Sequence, residues 1–128
     1  MMISDAAARA GLPVKTVRYY AEIGLVAPAR AANGYRDYSA NDARRLGFIG
    51  RARAFGFTLE ECRKLLALYE DKSRASADVK AIAETHLAEL DRKLAALTTL
   101  RDELASIATA CSGDGNSRCP IIEHLASG

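Results

Sequence analysis

No run of apolar residues in this chain approaches the ~20 that a bilayer-spanning helix needs, which excludes a helical membrane protein. The opening MMISDAAARAG carries Asp5 and lacks a basic stretch followed by an apolar one. It does not read as a secretory leader, and the expected location is the cytoplasm. Cysteine is scarce, with only Cys62, Cys111 and Cys119. An odd set without an export signal argues against a disulfide framework and for thiols that stay reduced, so metal binding or redox chemistry is the question they raise. No Ser/His/Asp or paired-carboxylate arrangement suggests catalysis, and no internal repeat or low-complexity linker interrupts the 128 residues. That length allows one domain, or two small ones, with a core of modest stability.

What is present is uneven in charge. Residues 1–57 hold nine Lys/Arg against four Asp/Glu, whereas residues 58–128 hold nine against twelve. The first half is therefore the candidate polyanion-binding half. Its local signals alternate helix and turn. Ser4 offers an N-cap for an Ala-rich helix that Gly11 ends, and Pro13 offers the first position of a second helix, PVKTVRYYAEIG, closed by Gly24. Two short helices around a tight turn make a helix-turn-helix outline. Pro28 and Asn33-Gly34 then mark a hairpin whose returning limb alternates Tyr35, Arg36, Asp37 and Tyr38, a wing.

Ser39 and Asn41 offer caps for a third helix in which Leu46, Phe48 and Ile49 make an apolar stripe beside Arg44, Arg45, Arg51 and Arg53. Thr58 and Glu61 have capping-box spacing ahead of a fourth helix, with Leu59, Leu65, Leu66 and Leu68 on its buried side. From about residue 76 to 107 there is neither Gly nor Pro. Leu87, Leu90, Leu94 and Leu97 step by 3, 4 and 3, and Leu100, Leu104 and Ile107 continue after a phase slip. This is a coiled-coil seam on a rod of about 45 Å, too long for four short helices to cover, so it is expected to pair with a second copy. A Gly/Asp/Asn-rich loop follows between Cys111 and Cys119, and Pro120 opens a last short helix. The expected architecture is mainly α: a winged helix-turn-helix with a small β wing over 1–70, a long antiparallel coiled-coil dimerisation helix over 71–108, and a metal-binding loop with a C-terminal helix over 109–128.

On a recognition helix the N-terminal residues enter the major groove. Lys15, Thr16, Arg18 and Tyr19 or Tyr20 occupy that stretch, with Tyr35 and Arg36 on the wing positioned for flanking phosphates. Two thiolates across the C-terminal loop can meet at one soft ion, chiefly Cu(I), and two ligands suit a linear monovalent ion better than zinc. A zinc site completed by His124, a regulatory disulfide and two ordinary cysteines are the alternatives. Cys62 and His86 read as structural helix residues, and a lone cysteine pair argues against an iron–sulfur cluster.

The runs RYYAEIGL and NGYRDY resemble the DNA-binding region of the MerR family of transcriptional activators, with Ala21 where that pattern carries Glu. The resemblance implies DNA contacts by Arg18, Tyr20, Tyr35 and Arg36, with Lys15 a further one. It also implies a homodimer on a near-palindromic operator, acting with RNA polymerase by distorting promoter DNA. The stretch ACSGDGNSRCPIIEHL is similar to the metal loop of the copper efflux regulator branch, the CueR and HmrR type, with Cys111 and Cys119 matching its two ligands. That branch carries Ser where mercury and zinc sensors carry a third Cys, and Ser76 occupies the place here. The implied function is a Cu(I)-responsive activator of copper efflux or detoxification genes, also induced by Ag(I) or Au(I). A same-fold sensor of another metal or of thiol oxidation, and a small dimeric metal buffer, are the rivals.

Overall fold

The computed structural model describes residues 1–128. Its elements run α1 (Ile3–Ala10), α2 (Val14–Glu22), β1 (Ala29–Arg30), β2 (Arg36–Asp37), α3 (Ala40–Ala54), α4 (Leu59–Glu70), α5 (Ser76–Ala110) and α6 (Pro120–Ala126). This is the expected mainly helical architecture with a small two-stranded wing. Two compact units divide it, Met1–Ile82 and Ala83–Gly128. The division falls inside α5, whose first turns, with Val79 and Ile82 half-buried, belong to the N-terminal unit.

In that unit, Gly11 ends α1 at φ 69°, a left-handed conformation costly for a residue with a Cβ. The amide of Leu12 then returns to Ala7 O at 3.0 Å, which sets the tight turn into α2. Ser4 does not cap α1. The helix starts one residue before it, at Ile3, with the amides of Asp5 and Ala6 donating to Met2 O. The earlier start follows from a long-range bond, in which Tyr38 N donates to Met1 O at 2.8 Å and anchors the entering strand of chain. Pro13 sits one place earlier than expected, as the extended N-cap of α2.

The wing pairs Ala29 with Asp37 and Arg30 with Arg36, antiparallel. Its turn closes where Tyr35 N donates to Asn33 Oδ1 at 3.1 Å and Arg30 Nη1 donates to Gly34 O at 2.8 Å. Reciprocal capping boxes start the next two helices. Asp42 N donates to Ser39 Oγ at 3.0 Å and Ser39 N to Asp42 Oδ2 at 2.9 Å; Glu61 N donates to Thr58 Oγ1 at 3.1 Å and Thr58 N to Glu61 Oε1 at 2.8 Å. Each satisfies two amide groups that a helix start otherwise leaves unpaired. Asn41 caps nothing and accepts from Arg44 instead.

Leu46 and Ile49 of α3, Val17 of α2, Val26 and Tyr38 beside the wing, and Cys62 of α4 are shut off from solvent and form the core. Leu66 is buried with them, while Leu59, Leu65 and Leu68 are half-buried, so α4 presents the side expected of it. Two arginines fasten α4 from outside. Arg45 of α3 pairs with Glu70 at 2.5 Å, and the Arg63 guanidinium donates to Gly24 O and Ile23 O at 3.4 and 3.5 Å. In the second unit the leucines at 87, 90, 94, 97, 100 and 104 of α5 are all exposed.

Two buried side-chain atoms have no partner, Arg45 Nε and the Tyr38 hydroxyl. An unsatisfied buried hydroxyl costs about 1–3 kcal/mol. Tyr38→Phe should therefore leave stability unchanged or raise it in urea unfolding, and a loss above about 1 kcal/mol would reveal a partner for that oxygen.

Candidate nucleic-acid interface and metal centre

The helix-turn-helix and the wing gather their basic residues around two clefts. In one, of about 430 Å³, Arg18 of α2 meets Arg30, Tyr35 and Arg36 of the wing. In the other, of about 360 Å³, Lys15 and Thr16 from the start of α2 meet Arg53 near the end of α3. Lys15 and Arg18 are exposed, and Tyr35 keeps 66% of its surface open, which suits groups that must reach phosphates and base edges. Tyr20 is only 6% exposed and belongs to the core with Val17, while it also lines the second cleft. The preceding residue, Tyr19, is 48% exposed and offers the open hydroxyl on that side.

Two members of this surface went unread in the sequence. Arg30 joins because hairpin register sets it opposite Arg36, and counting back from the Asn33-Gly34 turn would have found it. Arg53 joins because the turn after α3 folds it back, its Nη1 donating to Phe57 O at 2.7 Å. No local pattern signals that approach.

At the other end of the chain, α5 stops at Ala110 and the loop turns back on itself through short side-chain bonds. Asn116 N donates to Asp114 Oδ1 at 2.9 Å, and Arg118 N donates to Asn116 Oδ1 at 3.1 Å. The result sets Cys111 Sγ against Cys119 Sγ at 3.7 Å, both thiols free. The amide of Ile122 at the start of α6 is the main cause that holds the Cys119 thiol below its ordinary range; burial opposes it next, Cys111 and the Ile121 amide add to the lowering, and Glu123 opposes it least. Amide donors aimed at a sulfur favour its thiolate, the form that binds metals. His124 does not complete the pair, since its Nε2 faces Glu103 Oε1 at 3.2 Å. No group of three His, Cys, Asp or Glu side chains is placed to hold an ion.

The donor set fits a two-coordinate soft ion. Two metal–sulfur bonds of about 2.3 Å span roughly 3.7 Å at a tetrahedral angle and about 4.6 Å when opposed. The separation of the sulfurs would admit one such ion between them, and a side-chain rotation that parts them by under about 1 Å would give a linear arrangement. Ser76, the expected selectivity residue, is the exposed first residue of α5 and lies in the other compact unit.

Residues 1–68 match the family model for "MerR HTH family regulatory protein", and residues 43–107 match "MerR, DNA binding". The chain belongs to the MerR family. Similar members include the HTH-type transcriptional regulator HmrR of Rhizobium leguminosarum, 56% identical with 100% of this chain and 99% of that one covered. Another is CueR of Salmonella typhimurium, 43% identical over 98% and 92%. Among solved structures, the transcription regulator PbrR691 of Ralstonia metallidurans in complex with lead(II) superposes with a TM-score of 0.82, at 34% identity over 98% of this chain and 99% of that one.

The protein is thus a MerR-family transcriptional regulator and not an enzyme. For a MerR-family chain the third cysteine takes on a contrasting part. Cys62 has no exposed surface, and burial pushes its thiol up, opposed by Arg53 and reinforced by Glu61. Iodoacetamide at neutral pH should label Cys111 and Cys119, both half-exposed, and spare Cys62 until the protein unfolds, read by mass spectrometry of timed samples. Labelling of Cys62 at the rate of the pair would contradict the packing of α4.

Proposed function

We propose that the chain is a homodimeric Cu(I)-responsive activator, induced also by Ag(I) and Au(I), of genes for copper efflux or detoxification. The carrying observation is the facing pair of sulfurs, Cys111 and Cys119 at 3.7 Å, with no third protein donor beside them. Their thiolates would hold the ion. A monovalent ion between two thiolates leaves a net charge of −1, which amide donors at the start of α6 favour, whereas a divalent ion there leaves no charge and lacks the further ligands it prefers. Ser76 supplies no thiolate where a third would stand, and that is its part in selectivity.

DNA is held by Lys15, Thr16, Arg18, Tyr35 and Arg36, with Tyr19, Arg30 and Arg53 added and Tyr20 acting mainly by packing α2. The exposed leucine stripe of α5 supports pairing of two copies, which places two recognition helices on a near-palindromic operator. Activation then rests on distorting the promoter so that RNA polymerase can use it, at a deformation cost of about 1–6 kcal/mol. The work belongs in the cytoplasm, where DNA and polymerase are.

In vitro transcription from the neighbouring promoter, under buffered Cu(I), Ag(I), Zn(II) and Hg(II), tests the metal assignment. Cu(I) should activate, and Cys111→Ser or Cys119→Ser should each abolish activation while leaving the gel shift of the promoter intact. Activation by Zn(II) alone, or by an oxidant without metal, would replace the copper reading with one of its rivals. Ser76→Cys should admit Hg(II) or Zn(II) as inducers. Leu94→Asp should halve the sedimenting mass and weaken operator binding, and an unchanged mass would remove the helix from the dimer contact.

A further inference from the structure

Gly47 and Gly50 lie in the middle of α3, where glycine costs roughly 0.5–1 kcal/mol against alanine. Gly50 has a packing reason, since a Cβ there would meet Leu12 Cδ2 at 3.2 Å. At Gly47 the neighbour is no core side chain. A Cβ would stand 3.3 Å from Arg51 Nη1, so the missing side chain makes room for a guanidinium lying across the helix. This is the floor of a cleft of about 330 Å³ whose walls carry Arg9, Arg44, Arg51 and Tyr69.

The cleft is distinct from the DNA-facing ones. At 100° per residue, Arg44 and Arg51 share one side of α3, and Arg53, nine residues beyond Arg44, points to the opposite side. That opposite side is where Lys15 and Thr16 of the recognition helix lie. The three arginines are also unspent. Arg44 donates only to Asn41 Oδ1 at 3.2 Å, Glu70 is occupied by Arg45, and no ion pair engages Arg9, Arg44 or Arg51. Beside them Tyr69 stacks on Phe48 with ring centroids 4.7 Å apart and planes 7° from parallel, a rigid aromatic wall that is still half open.

From this we infer that the cleft is a docking site for an acidic segment of another protein, one with carboxylates about two helical turns apart and an apolar side chain between them. Charge complementarity selects carboxylates, and the span from Arg44 to Arg51, about 10 Å along the helix, sets their spacing. The apolar floor of Ala40, Ala43 and Gly47 and the Tyr69 wall favour a protein side chain over a DNA backbone, whose small sugar C–H edges stand between charged phosphates. Arginine and tyrosine around a shallow apolar centre is also the composition of energetically dominant interface sites.

The test uses the full-length protein and a fluorescein-labelled 14-residue helical peptide with two Glu at i and i+7 and Leu between them. Anisotropy should report binding that weakens at least tenfold when both Glu become Gln, and at least tenfold in Arg44→Gln/Arg51→Gln. The same double variant should shift a random 25-bp duplex as the parent does, whereas Lys15→Gln should lose duplex affinity and keep the peptide. Arg44→Glu/Arg51→Glu should bind the Lys version of the peptide, a rescue that a folding defect cannot give. Displacement of the peptide by the duplex, together with weaker duplex binding by the double Gln variant, would make the cleft a DNA surface and overturn the proposal. Equal binding of the Gln peptide, no binding at all, or a changed sedimenting mass that assigns the cleft to a second copy would overturn it as well.

Discussion

Leu46 and Ile49 have no surface open to solvent, and their burial makes α3 the beam on which the N-terminal unit is hung. α1 lies along it, the Leu12 side chain just past α1 packs over Gly50, and α4 is fixed to it through Cys62, Leu66 and the Arg45–Glu70 pair. α2 gains its orientation second-hand, through Val17 and Tyr20 sunk into the same core. A recognition helix must keep its outer side chains to within about an ångström of a base edge, and that accuracy comes from the buried side. Of the adjacent tyrosines, Tyr20 is buried on that inner side and Tyr19 stays exposed.

Most of the skeleton could be read from local chemistry. The left-handed glycines, Asn33-Gly34 and the Ser39 and Thr58 caps act within a few residues, so their spacing in the sequence is their spacing in space. The cysteine pair was legible for the same reason, the loop between its members being short. What escaped depends on contacts between distant parts of the chain. Ser4 is a good cap by type, yet the bond between Tyr38 and Met1 starts α1 earlier. Arg53 reaches the recognition helix because the chain turns after α3 at Phe55 and Gly56, and Tyr20 faces inward with Val17 because both belong to a core assembled from several elements. His124 was within reach of the thiols in sequence, but Glu103, twenty-one residues earlier on α5, claims it.

The basic character of the first half now divides by direction. Along α3 the arginines point to opposite sides, so net charge alone does not say what a residue serves. Arg45 holds the fold together, Arg53 stands with the recognition helix, and Arg44 and Arg51 stand with Tyr69. A charge excess that looks like one polyanion-binding patch is, in three dimensions, three sets of groups with different neighbours.

The loop between the cysteines has a further consequence. Asp114 and Asn116 each bind a backbone amide two residues on, so the turn is folded by its own side chains before anything reaches the sulfurs. Part of the conformational entropy that capture would otherwise remove has thus been lost already. On the proposed reading of Cys111 and Cys119, affinity would be as much a property of this spacer as of the two sulfurs.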